Sequence, residues 1–183
     1  MNSIPVWLKA GAVSMVVLFT TTTSLRSGRV SSAASPESPS CAAPEYRRFD
    51  FWAGDWDVFE IDGATKVART RVDLILDGCV LREDYEGTNG SKGQSFSIYD
   101  ASRKVWHQSW VTNRGKLLVI EGNIQAGAMV LSGVDHTADG KERQVRGTWK
   151  PVNGGVRETA VTSTDAGKTW KLWFDLLFRP HKP

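Results

Sequence analysis

Two segments carry the side chains best suited to chemistry. In residues 79–87 (CVLREDYEG), Cys79, Leu81, Glu83 and Tyr85 fall on one face at strand spacing. Cys79 and Leu81 are apolar, so this face points into a core and takes Glu83 with it. A carboxyl group so placed must be paired or protonated. Arg69, Arg71 and Arg146 are the candidate partners across the sheet. Left unpaired, Glu83 would serve as a ligand anchor or as a general acid–base. In residues 104–112, Trp106, Gln108 and Trp110 share a face, and an amide between two indoles suits a flat or aromatic ligand. Trp149, Glu158 and Trp173 are further candidates for the same lining.

Other chemistries find little support. His107, His136 and His181 are the only histidines, at spacings that do not match a zinc site, so no metal is expected. A single axial histidine is the one route to haem, and only His107 lies on a strand, on the face opposite Gln108 and Trp110; no cofactor is expected. Ser95, Ser97, Ser109 and Ser163 have no histidine at the spacing of a nucleophilic triad, and there is no phosphate-binding loop. Three functions remain. The chain is read first as a binder of a small apolar or aromatic molecule. The second is an enzyme of lyase, isomerase or hydrolase type using Glu83 or His107. The third is a structural envelope protein with a filled interior.

These side chains need strands to hold them. Alternation of apolar and polar residues predicts ten: 55–61, 65–76, 79–87, 92–100, 104–112, 116–123, 127–134, 141–149, 155–163 and 169–178. The last reads most clearly, with Trp170, Leu172, Phe174, Leu176 and Phe178 on one face. Asp62-Gly63, Asp77-Gly78, Asn89-Gly90, Asp139-Gly140 and Asn153-Gly154 supply hairpin turns. Residues 45–52 read as one helical turn, and no longer segment has helical periodicity, which excludes βαβ units. Ten strands joined by hairpins leave an open edge unless the sheet closes. The expectation is therefore an all-β, single up-and-down antiparallel barrel, with a sandwich as the alternative.

The N-terminal segment has a different character. Lys9 precedes the apolar run AGAVSMVVLFT, residues 10–20, which falls short of the roughly 20 residues of a membrane span. Small residues follow at Ser32-Ala33-Ala34. Residues 1–34 read as a signal peptide, 35–46 as a Ser/Pro-rich linker and 47–183 as the barrel domain, in a periplasmic or secreted protein with no membrane attachment after cleavage. Removing 1–34 takes away Lys9, Arg26 and Arg29 and leaves 20 basic against 20 acidic residues, with no basic cluster for nucleic acid. In an oxidising compartment Cys41 and Cys79 form a candidate disulfide that ties the linker to the barrel. Ser-Pro-Ser before Cys41 is not a lipobox.

Gly54-x-Trp56 at the start of the first strand resembles the Gly-x-Trp motif of lipocalins and the wider calycins. The resemblance implies that Gly54 permits a tight approach, that Trp56 plugs the closed end, and that Arg179 of the last strand packs across the indole. Longer strings, FDFWAGDWDV, LDGCVLRE, WHQSWV and STDAGKTW, occur in that order. Together they are similar to a family of exported bacterial lipocalin-like proteins of unknown function, over residues 45–179. That likeness implies a barrel and export but no substrate, cofactor or catalytic residue. Tyr85 departs from it, standing where a tryptophan is usual. Ser163-x-Asp165-x-Gly167-x-Thr169-Trp170 also fits the Asp-box of sialidases and other propellers. A single copy reads as a turn: Asp165 binds backbone N–H groups, Gly167 takes a positive φ and Trp170 packs beneath.

Overall fold

The computed structural model describes residues 41–182. The expected signal peptide and residues 35–40 of the linker lie outside the described residues. Ten antiparallel strands follow the turn signals closely: β1 Gly54–Glu60, β2 Lys66–Ile75, β3 Val80–Gly87, β4 Lys92–Asp100, β5 Val105–Thr112, β6 Leu117–Gln125, β7 Ala128–His136, β8 Glu142–Val152, β9 Gly155–Ser163 and β10 Lys171–Pro180. Each strand pairs with its neighbours in sequence, and β1 pairs with β10, so the sheet is a closed up-and-down barrel. Closure leaves every strand paired on both sides, which answers the edge problem posed by the sequence. This is the architecture expected of a calycin-type barrel; the sandwich alternative is overturned.

One end of the barrel is sealed from within. Residues Pro44–Arg47 and Asp50–Trp52 form two short 3₁₀ turns instead of one helical turn. They carry Phe49 and Trp52 into the lumen, where both are buried. Phe49 stacks on Trp52 at 5.1 Å and meets Trp106 and Trp149 edge-on at 5.7 and 5.5 Å. Trp56 joins this cluster, and its Nε1–H donates to the Trp52 carbonyl at 3.0 Å. A Cβ on Gly54 would lie 2.7 Å from the Trp56 ring, so the glycine is required by close approach of the indole.

Arg179 does not cover Trp56. Its guanidinium lies over Phe59 at 5.0 Å and donates to the Gly63 carbonyl at 2.8 Å. The reason is register: Arg179 pairs with Asp57, whose neighbours Trp56 and Val58 point inward, so Arg179 points out.

Cys41 and Cys79 are joined in a disulfide, with Cα atoms 5.0 Å apart. Arg47 reinforces the junction by donating to the Gly78 carbonyl. The bridge spans 38 residues of sequence. Replacing both cysteines by serine is expected to cost about 2–4 kcal/mol, by relaxing the unfolded chain and loosening the plug. Urea unfolding of the double variant against the oxidised protein checks this; coincident midpoints would show that the bridge adds nothing.

The last strand departs from simple alternation. Leu172 pairs with Val161 and Phe174 with Ala160, so Trp173 is an extra residue, a β-bulge. The bulge breaks the face read through Trp170 to Phe178. Phe174, Leu176 and Phe178 reach the lumen, whereas Leu172 is 65% exposed. Ahead of it, the 163–170 segment closes the hairpin between β9 and β10. Asp165 accepts from the Thr169 backbone N–H at 2.9 Å and from its hydroxyl at 2.6 Å. Gly167, at φ +83°, donates to the Ser163 hydroxyl. The Trp170 indole donates to the Gly167 carbonyl and stacks under the Arg146 guanidinium at 4.2 Å.

Candidate functional site

Above the aromatic plug the barrel holds a cavity of about 450 Å³ that reaches the opposite end. This lies within the range of small-molecule sites, roughly 300–1,000 Å³. Glu83, Tyr85, Gln108, Trp110, Trp149, Glu158 and Trp173 all line it. Trp106 shares the inward face of β5 with Gln108 and Trp110 but sits one step deeper. It is 1% exposed, packed between Phe49 and Tyr99 in the plug, and takes no part in the cavity wall.

Glycines make room for the indoles. A Cβ on Gly93 would lie 2.3 Å from the Trp110 ring, and one on Gly147 would lie 2.8 Å from the Trp149 ring. Trp110 can therefore lie flat across β4, where Tyr85 meets it edge-on at 5.8 Å. At the rim, Arg143 stacks on Trp173 at 4.4 Å and is anchored by buried Asp135. The bulge gives Trp173 this double contact, with the cavity on one side and the guanidinium on the other.

Glu83 has no arginine partner. Arg69 pairs with Asp55, Arg71 with Asp73, and Arg146 stacks on Trp170. All three are turned outward by their inward-facing neighbours Thr70, Val72, Val145 and Gly147. Glu83 is instead held by hydroxyls: Ser95 lies 2.9 Å from Oε2 and Thr70 lies 3.2 Å from Oε1. Thr70 has one hydroxyl proton, and its shorter contact, 2.8 Å, is to the Asp84 carbonyl. The remaining hydrogen bond at Oε1 is satisfied when Glu83 is the donor, that is, when it is protonated. Burial pushes the Glu83 carboxyl up to about 7, against the opposing pull of the Ser95 and Thr70 hydrogen bonds.

Glu158 approaches the same space from β9. Its pKa is raised well above the ordinary carboxylate range, first by desolvation and then by the charge of Glu83. Trp149 lies directly opposite Glu158 on β8, and its indole N–H faces the carboxyl without reaching hydrogen-bond geometry. Desolvation also raises Tyr85, with Glu83, Glu158 and Glu60 adding to it. The arrangement can hold an apolar body between rings and can exchange a proton with it at Glu83.

The sequence reading missed several contributors. Thr70 and Ser95 hold the Glu83 carboxyl, and buried Ser97 accepts from the Gln108 amide at 2.9 Å. The available signal was β4 itself: in KGQSFSIYD the small residues Gly93, Ser95 and Ser97 face in and Phe96 and Ile98 face out. Apolar residues outside and hydroxyls inside mark a lumen in place of a packed core.

His107 lies on the outer face of β5. Its Nδ1 meets Glu121 at 2.8 Å and its Nε2 meets Ser109 at 2.9 Å, so it does not reach the cavity and cannot act there as the enzyme reading required. Among the described residues no group of three or more histidine, cysteine or acidic side chains is placed to hold a metal, and no helix is long and apolar enough to cross a membrane. A shallower groove outside the barrel, near Asp55, Arg69 and Arg71, is walled by side chains already paired with one another. Neither a scan of protein families nor a search of curated proteins returns a match to this chain.

Proposed function

We propose that the chain is an exported binding protein that takes one small, largely apolar or aromatic molecule into the barrel. The carrying observation is a cavity of about 450 Å³, walled by Tyr85, Trp110, Trp149 and Trp173 with a few buried polar groups, Glu83 and Gln108 among them, set in the same wall. A closed barrel with aromatic walls and few, well-held polar groups favours capture of a ligand over a filled, purely structural interior. The disulfide and the N-terminal apolar run support export to an oxidising compartment. Neither nucleic acid nor membrane enters this reading.

The neutral fluorescent probe N-phenyl-1-naphthylamine tests it. Binding with blue-shifted emission is expected, and Trp110→Ala should weaken it at least tenfold, about 1.4 kcal/mol. Equal affinity in the variant would remove Trp110 from the wall and the reading with it. One observation favours a second reading, an enzyme of lyase, isomerase or hydrolase type: Glu83 is a buried carboxylic acid poised near neutrality, which is what a general acid–base needs.

A further inference from the structure

We propose that the molecule this cavity takes is an organic cation, an ammonium group carried on an apolar or aromatic body. This inference rests on the binding reading above and names its ligand class.

The charge inventory of the cavity carries it. Glu60 from β1, Glu83 from β3 and Glu158 from β9 all face the space. Lys92 is the one basic side chain in the lining, and its ammonium is held outside by Glu86 at 2.8 Å. Near the rim, Lys116 and Arg143 are both bound to Asp135. These two cations share one carboxylate, and among the described residues neither they nor any other basic side chain makes an ion pair with Glu60, Glu83 or Glu158. Around them stand the π faces of Tyr85, Trp110, Trp149 and Trp173, which attract a cation in their own right.

A second observation points to an occupant. Among the described residues the Glu158 carboxyl makes no ion pair. Buried Trp149, 3% exposed, has an indole N–H without an acceptor beside that carboxyl. Thr70 and Ser95 can hydrogen-bond Glu83 but cannot neutralise it. An anionic ligand would be repelled once Glu83 ionises, and a neutral one would leave the acids as they stand. An ammonium ion gains a low-dielectric ion pair and cation–π contact together, and draws the Trp149–Glu158 pair into register.

The step balances as an ion exchange. R–NH₃⁺ enters, a protonated glutamic acid becomes a carboxylate, and one proton leaves to solvent. Affinity should therefore rise with pH until the amine itself deprotonates. The groups facing this exchange are Glu60, Glu83, Glu158, Tyr85 and Lys92, with Asp84 behind Glu83.

Calorimetric titration with 4-phenylbutylamine, 4-phenylbutan-1-ol and 4-phenylbutanoate at pH 8 tests the inference. The amine is expected to bind at least tenfold tighter than the alcohol, with the carboxylate weakest. Its heat should differ between phosphate and Tris by the ionisation heat of the released proton. Glu158→Gln should weaken the amine more than the alcohol and so narrow the gap between them, with Glu83 keeping part of it; if that variant does not fold, the three-probe comparison on the unaltered protein decides. If the alcohol or the carboxylate matches the amine, the cation inference falls and binding stands. The same holds if N-phenyl-1-naphthylamine binds while all three probes fail. Failure of every probe would bring down the binding reading beneath it.

Discussion

Trp52→Ala is expected to destabilise the protein by about 3–5 kcal/mol, a large share of the roughly 5–15 kcal/mol that holds a domain folded. Trp52 is 1% exposed and touches every side of the plug: Phe49 at 5.1 Å, Trp149 at 5.7 Å and Phe178 at 6.4 Å. Its indole N–H has no acceptor, so the whole loss is packing and none of it is hydrogen bonding. Trp149 of β8 and Phe178 of β10 are fixed in strands that flank β9, and Phe49 is held by Trp106 and Trp149, so they cannot collapse far into the gap and the cavity penalty should be large. The melting temperature should fall by roughly 10 °C. Urea unfolding followed by far-ultraviolet circular dichroism measures this without relying on tryptophan emission. A loss below about 1 kcal/mol would mean that the segment 44–52 merely rests against the barrel and does not seal it.

The barrel was legible because its punctuation is local. Asp-Gly and Asn-Gly pairs need positive φ and announce hairpins, and ten strands so joined require closure. The inward faces of β3 and β5 were legible too, since Leu81 and Trp106 anchor their period. What escaped was everything decided by register between strands. Arg179 faces outward because it pairs with Asp57, a fact not written in the strand that carries the arginine. The Trp173 bulge escaped for a related reason. The run Trp170, Leu172, Phe174 looks like unbroken alternation, and only pairing with β9 reveals the extra residue.

Depth along the lumen was equally hidden. Trp106 and Trp110 have the same type and face, yet one is plug and the other wall. The difference is their distance from the sealed end, which depends on where the 44–52 segment inserts. Glu158 shows the opposite case: a weak candidate on its own strand, it matters because β9 brings it to the space that Glu83 faces from β3.

Glu83→Gln is expected to stabilise the ligand-free protein above pH 7 and to remove the share of its pH dependence between about 4.5 and 7 that Glu83 contributes, leaving that of Glu158. The folded-state carboxyl titrates at about 7 and the unfolded one near 4.5. Below the lower value both states are protonated and the group contributes no difference. As pH rises through the window the unfolded chain releases its proton while the folded chain holds it, so unfolding becomes easier. Above 7 both are ionised and a penalty of about 3 kcal/mol persists, the cost of a carboxylate without a cation. Glutamine reproduces the protonated acid: its amide can donate to Thr70, whose own proton goes to the Asp84 carbonyl, and its oxygen can accept from Ser95. The variant should therefore gain about 1–3 kcal/mol at pH 8, since part of the penalty is relieved by relaxation. It should match the parent protein at pH 4. Paired urea titrations at the two pH values decide. A variant less stable than the parent at pH 8 would show that Glu83 is ionised and already compensated in the folded barrel. A gain at pH 8 together with lost binding or turnover would show that an unpaired acid is kept in the barrel at a cost in stability because the ligand needs it.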